Sequence, residues 1–175
     1  MAKATVFIAT SLDGFIARED GALDWLPVGG GEPHGYTEFM ATVDALVIGR
    51  KTFDTVLSFD AWPYGKKPVV VLSTTLSTIT VPDGAVCEVM AGTPYEIVRR
   101  LTQRGMKHLY VDGGMTIQGF LAAGLIQRLI ITRIPVLLGS GIPLFGPLPQ
   151  DIRLEHVGTR SFACGMVQSE YVIAA

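Results

Sequence analysis

Short apolar runs alternate along this chain with polar, glycine-bearing turns, at the spacing expected of strands and helices in succession. Thr5 to Thr10 is a β-rich apolar run that suits a central strand buried on both faces. Ser11 to Gly35 is glycine-rich, broken by Pro27 and Pro33, and reads as a long loop packed over something through Phe15, Ile16, Leu23, Trp25 and Leu26. Tyr36 to Val43 has helical spacing, Ala45 to Ile48 reads as a strand, and Lys51 to Leu57 as a short helix. Beyond a turn over Pro63 to Pro68, strands are predicted at Val69 to Ser73 and Ala85 to Met90. Thr93 and Pro94 supply an N-cap and a proline at the first helical position, and that helix should stop at Gly105.

The second half continues the alternation and then changes it. His108 to Val111 reads as a strand, Met115 to Ala123 as a helix closed by Gly124, and Leu125 to Leu138 as a long apolar run interrupted by Pro135. Gly139, Gly141 and Pro143 mark a turn-rich loop. Ile152 to Thr159 and Met166 to Ile173 alternate with a period of two, the signature of an antiparallel pair. Strands that first alternate with helices and later pair with each other predict a mostly parallel α/β sheet, covered on both faces, with an antiparallel C-terminal edge. There are no repeats or charge blocks, so residues 1–175 are expected to form one domain.

Composition narrows the function. Apolar residues make up 49% and charged residues 17% of 175, and 14 basic against 16 acidic side chains leave a net charge of −2. That balance gives no electrostatic reason to bind nucleic acid or an anionic membrane. The apolar stretch at the N-terminus is too short for a signal peptide and reads as the first strand; a cytoplasmic protein is the expectation. Cys87 and Cys164 are widely spaced in strand-like segments and are expected to be buried free thiols. His34, His108 and His156 lack ligand spacing, so no metal site is expected.

The candidate chemistry lies at two glycine turns, Ile48-Gly49-Arg50-Lys51-Thr52 and Val111-Asp112-Gly113-Gly114-Met115-Thr116. Each follows a strand-like run and opens a helix-like one. Glycine there lets backbone N–H groups approach a phosphate, and the helix N-terminus adds partial positive charge. Two such turns suit a dinucleotide, and Arg50 and Lys51 add the full charges that favour NADPH. No G-x-G-x-x-G opens a helix, so the Rossmann fingerprint is absent.

With these motifs in order, the chain resembles the dihydrofolate reductase superfamily, and in particular stand-alone proteins similar to the C-terminal reductase domain of bifunctional riboflavin-biosynthesis enzymes. The resemblance is carried by SLDGFIA (11–17), LDWLP (23–27), DALVIGRKTFD (44–54), VVVLS (69–73), VDGG (111–114) and PVLLGSGIPLF (135–145). It implies a twisted eight-stranded sheet with NADPH across the strand ends and a second pocket beside the nicotinamide. Matched by position, Gly49, Arg50, Lys51 and Thr52 meet the adenosine phosphates, and Leu72, Ser73 and Thr74 flank the adenine ribose and its 2′-phosphate. Asp112, Gly113, Gly114, Met115 and Thr116 carry the pyrophosphate, while Ala9, Ile16 and Ala17 line the nicotinamide end. The glycine pair is expected to hold a cis or strained peptide. Relatives of this kind are often homodimers, with the tail strands and Leu125 to Leu138 available as an interface.

One departure bears on the substrate: the carboxylate that orients a pterin in dihydrofolate reductases has no clear counterpart in Val28 to His34. A second, Gln127-Arg128 where many relatives carry an acidic pair, carries no functional assignment. Asp13 is the best-placed carboxylate of the first loop: a substrate anchor, a proton donor to a reduced C=N or C=O, or a turn aspartate bonded to backbone N–H groups ahead of Gly14. Trp25 either covers the nicotinamide or substrate or packs the loop, and Phe39 either walls the substrate pocket or belongs to the core. The expected activity is hydride transfer from NADPH to a small planar heterocyclic or carbonyl compound. The alternatives are a riboflavin-pathway reductase acting on a ribosylaminopyrimidinone phosphate, and a dinucleotide- or metabolite-binding protein without turnover.

Overall fold

The computed structural model describes residues 1–28 and 31–175. Gly29 and Gly30, part of the stretch that lacks the pterin-orienting carboxylate, lie outside the described residues. Six strands run parallel: β1 (Lys3–Ser11), β3 (Ala45–Gly49), β4 (Pro68–Leu72), β5 (Val86–Met90), β6 (His108–Asp112) and β7 (Arg128–Ile134). Antiparallel β9 (Leu154–Ser161) and β10 (Val167–Ile173) complete an eight-stranded sheet in the order β5-β4-β3-β6-β1-β7-β10-β9.

Strand alternation sorts the apolar side chains into two cores. Ala45, Val47, Leu109 and Val111 pack with α3 (Pro94–Gln103) and α4 (Gly114–Ala122) through Ile97, Leu101, Ile117 and Phe120. Leu46, Ile48, Tyr110 and Ile130 face the other way, toward α1 (Tyr36–Ala41) and α2 (Arg50–Leu57), and meet Phe39, Phe53 and Val56. The central strands are thus apolar on both faces, as a sheet sandwiched by helices requires.

Local chemistry closes these elements as their residues dictate. Thr93 accepts the Glu96 N–H at 3.2 Å while Glu96 Oε2 accepts the Thr93 N–H at 2.8 Å, a reciprocal capping box. Thr93→Ala is expected to cost about 1 kcal/mol in a urea melt and to leave ligand binding unchanged, since only the cap is lost. The six-residue α1 has no side-chain N-cap. Its other end is held instead by the Lys67 ammonium, which donates to the carbonyls of Met40, at 2.8 Å, and Val43.

Three sequence expectations change. Phe15–Ala17 forms β2 and Ile142–Pro143 forms β8, and they pair antiparallel where only loops were expected. Neither is long enough to show a period, and their partners are more than 120 residues apart in the chain. Cys164 is exposed in the β9–β10 turn rather than buried in a strand, because Gly165 (φ 93°) turns the chain there; Cys87 is half-buried, and both thiols are free. The Gly113–Gly114 peptide is trans, with no cis bond among the described residues, and Gly113 takes φ 101°.

Candidate active site

The crossovers diverge between β3 and β6. From β3 the chain leaves through α2 on one face to reach β4, and from β6 it leaves through α4 on the opposite face to reach β7. β3 and β6 are neighbours, with Ile48 beside Asp112, so a crevice opens at their carboxyl ends. That is where open α/β sheets bind ligands. The two glycine turns predicted from the sequence sit on either side of it.

The turns interlock. A Cβ at Gly113 would lie 2.5 Å from Thr52 Oγ1, and one at Gly49 would lie 2.8 Å from Thr116 Oγ1. Each glycine therefore accommodates a threonine from the other turn, and neither position has room for a side chain. A Cβ at Gly114 would meet Ile16 Cδ1 at 3.2 Å and Ile142 Cγ2 at 3.1 Å, which brings the β2–β8 ribbon against the second turn. The N-caps of α2 and α4, Gly49 and Gly113, provide no side-chain acceptor for the first helical N–H groups, unlike the boxed start of α3. Uncapped starts aimed into a crevice are donors suited to anionic oxygens. By this donor set the residues present fit a dinucleotide's phosphates.

The other predicted residues are distributed unevenly. Leu72 pairs with Gly49 at the end of β4, and Ala9 lies in β1 opposite Thr132 of β7. The Ser73 hydroxyl accepts the N–H groups of Leu76 at 3.1 Å and Thr75 at 3.3 Å, so it shapes its own turn; Thr74 is exposed. Arg50 and Lys51 are exposed, Arg50 within 3.4 Å of Asp54 one helical turn on. Met115 is exposed, and the carbonyl of Ala17 abuts Gly141.

Asp13 is engaged as a turn aspartate: its two carboxylate oxygens accept the N–H groups of Leu138 at 3.1 Å and Gly139 at 2.8 Å. The Ser11 hydroxyl and these two N–H groups hold it below the usual carboxylate range. Phe39 is buried between Phe7 (centroids 5.0 Å apart) and Tyr110 (5.1 Å), in the core. Trp25 is half-buried, and its indole N–H is buried with no hydrogen-bond partner among the described residues.

The carboxyl missed by sequence reasoning as a reacting group is Asp112. Tyr110 and Asp112 are two residues apart in β6 and share the face that carries α1 and α2. Burial pushes the Asp112 carboxyl up to about 6, against the pull of the Gly113 N–H that it accepts at 2.8 Å. Its charge in turn helps raise the Tyr36, Tyr64 and Tyr110 phenols, for which desolvation is the larger cause. The signal was legible in the i, i+2 spacing, but the adjacent glycines drew the reading to phosphate.

The model of the RibD C-terminal domain family matches residues 2–168. The chain belongs to that family. A crystal structure from Shewanella sp. PV-4, of a protein assigned provisionally to riboflavin biosynthesis, is 42% identical over the whole of both chains with a TM-score of 0.89. The bifunctional diaminohydroxyphosphoribosylaminopyrimidine deaminase/5-amino-6-(5-phosphoribosylamino)uracil reductase of Thermotoga maritima shares the fold at 17% identity and TM-score 0.77, over 99% of this chain and 57% of that one. Dihydrofolate reductase from Enterococcus faecalis, crystallised with NADP(H), also shares it at 17% identity and TM-score 0.71, over 99% and 97%. The chain is therefore a RibD C-terminal domain protein with a dihydrofolate reductase-like fold. No helix among the described residues is long and apolar enough to cross a membrane.

Proposed function

We propose that this RibD C-terminal domain protein is a reductase that draws hydride from a nicotinamide dinucleotide, NADPH in preference to NADH, and delivers it to a small planar C=N or C=O compound. The observation that carries this reading is the pair of uncapped helix starts, α2 and α4, interlocked through Thr52–Gly113 and Thr116–Gly49 at the divergence of the crossovers. Membership of the RibD C-terminal domain family, whose fold the Thermotoga maritima deaminase/reductase shares, supports it. When bound, the dinucleotide supplies the hydride.

The chain's own residues supply the rest. The glycine turns bind phosphate oxygens through backbone N–H groups, and Arg50 and Lys51 add charge beside the first of them. The β2–β8 ribbon packs on Gly114 through Ile16 and Ile142 and so fixes the second turn beside β1. Asp112, its carboxyl pushed up to about 6, is protonated in mildly acidic solution and there delivers the proton to the acceptor atom that becomes basic on reduction. Asp13 positions the loop after β7 by its two N–H contacts and takes no part in proton transfer.

Cofactor titrations test the reading. NADPH is expected to bind tighter than NADH, and Arg50→Ala to weaken NADPH about tenfold while leaving NADH nearly unchanged, the loss of one charge-assisted contact. An unaltered NADPH preference in the variant would take Arg50 out of the site.

A further inference from the structure

His34 is half-buried over the middle of β1. Its ring stacks on Phe7, with centroids 5.7 Å apart and planes 30° from parallel. Continuing the Thr5–Tyr110 register by two residues sets Phe7 beside Asp112, on the face that Tyr110 and Asp112 share. The imidazole therefore lies over the strand next to that of the carboxyl, two residues short of Ala9.

The loop itself fixes the tautomer of this ring. Nδ1 lies 2.9 Å from the Glu32 carbonyl oxygen, which can only accept, so Nδ1 carries the hydrogen. Nε2 of the neutral ring is then a bare acceptor, and it has no partner among the described residues. The other two histidines are engaged at that atom, His108 with Thr5 Oγ1 at 2.8 Å and His156 with Thr159 Oγ1 at 2.6 Å.

A buried network holds the main chain at His34. Gln168 and Thr132, 6% and 1% exposed, are opposite each other on β10 and β7, and Thr132 is opposite Ala9 on β1. Gln168 Nε2 donates to the Thr132 hydroxyl at 3.0 Å and to the His34 carbonyl at 2.9 Å, while its Oε1 accepts from Arg160 at 3.0 Å. Arg160 also reaches the His34 carbonyl, at 3.4 Å. Glu32 Oε1 accepts the Cys164 N–H at 2.8 Å, so the β9–β10 turn grips the same loop a second time. A buried amide is costly unless bonded, and a fully bonded one stiffens what it touches. Here that is the residue whose ring offers a free acceptor beside the crevice.

We propose that His34 Nε2 receives a hydrogen bond from an N–H donor on the compound that takes up the hydride, with Gln168 a positioning residue acting through the His34 carbonyl. This rests on the reductase reading above and adds the substrate's chemistry: a planar C=N or C=O compound that carries an N–H donor.

The test titrates uracil, and 1,3-dimethyluracil, which lacks both N–H donors, into NADPH-saturated protein carrying ¹⁵N-labelled histidine. In mildly alkaline solution the free protein should show His34 with Nδ1 protonated and Nε2 bare. Uracil should move the Nε2 resonance saturably. Its dimethyl form should bind at least about tenfold more weakly, and His34→Ala should weaken uracil by a similar factor. Gln168→Ala should weaken uracil and mix the two tautomers of His34 while NADPH affinity holds, a signature that a general loss of stability would not leave. If that variant fails to fold, His34→Ala decides alone. An Nε2–H tautomer, uracil binding that leaves His34 unmoved, equal affinity for the two uracils, or no saturable uracil site would overturn the proposal. Repeating the titrations without cofactor separates the two claims: NADPH that fails to bind removes the reductase reading, while the role of His34 is still read from its resonances and the two probes.

Discussion

Gly113→Ala is expected to cost about 2–4 kcal/mol of stability and to abolish dinucleotide binding. Two penalties combine. The residue sits at φ 101°, outside the range that alanine adopts without strain, and its new Cβ would press within 2.5 Å of Thr52 Oγ1. Rotation of the threonine relieves the clash but removes the contact that registers α2 against the second turn. Urea denaturation and an NADPH titration read the two losses separately. The double variant Gly113→Ala/Thr52→Ser, which keeps the hydroxyl but removes the methyl, should not recover binding, because the backbone strain persists. A single variant with wild-type affinity would show that the crevice between β3 and β6 is not the site.

Asp112→Asn should move activity and stability in opposite directions. If Asp112 delivers the proton, turnover with a competent acceptor should fall by roughly 10²–10⁴ while NADPH affinity holds. In the wild type, turnover should decline as pH rises through about 6, where the carboxyl loses its proton. The stability sign follows from the same shift. The folded-state value lies above the ordinary 3.8, so folding favours the protonated form; stability is highest below pH 3.8 and falls as pH rises through about 6. Asn cannot ionise, so the variant should be the more stable at pH 8, by up to about 3 kcal/mol, and should lose that advantage near pH 4. Equal denaturation midpoints at both pH values would mean that the carboxyl is not held in a desolvated place.

How much of this was readable without coordinates depended on the range of the interactions involved. The parallel strands announced themselves as apolar runs because burial on both faces leaves no other pattern, and Thr93-Pro94 announced α3 because a cap is local chemistry. The two phosphate-suited turns were legible for the same reason: glycine at a strand end is a local signal. That Thr52 sits over Gly113 and Thr116 over Gly49 was not, since each contact joins residues more than 60 positions apart and depends on β3 lying next to β6. The β2–β8 ribbon was hidden likewise, its strands being too short to carry a period. Asp13 shows the converse limit. Its sequence context allowed either a substrate contact or a turn, and only the positions of Leu138 and Gly139, supplied by a distant loop, show where its oxygens are engaged.

The Lys67 ammonium at the end of α1 has a consequence for the order in which the chain assembles. Six residues make barely more than one helical turn, well below the length at which an isolated helix survives in water. Without a side-chain cap at its start, α1 depends on a lysine that emerges 27 residues after Met40. During refolding, amide protection in 36–41 should therefore trail that of β3 and arrive together with the segment that delivers Lys67. A ribosome-bound fragment ending before residue 67 should leave this turn unprotected, and the edge contacts of Tyr36 with Phe7 and Tyr110 would then be among the last parts of the core to take shape.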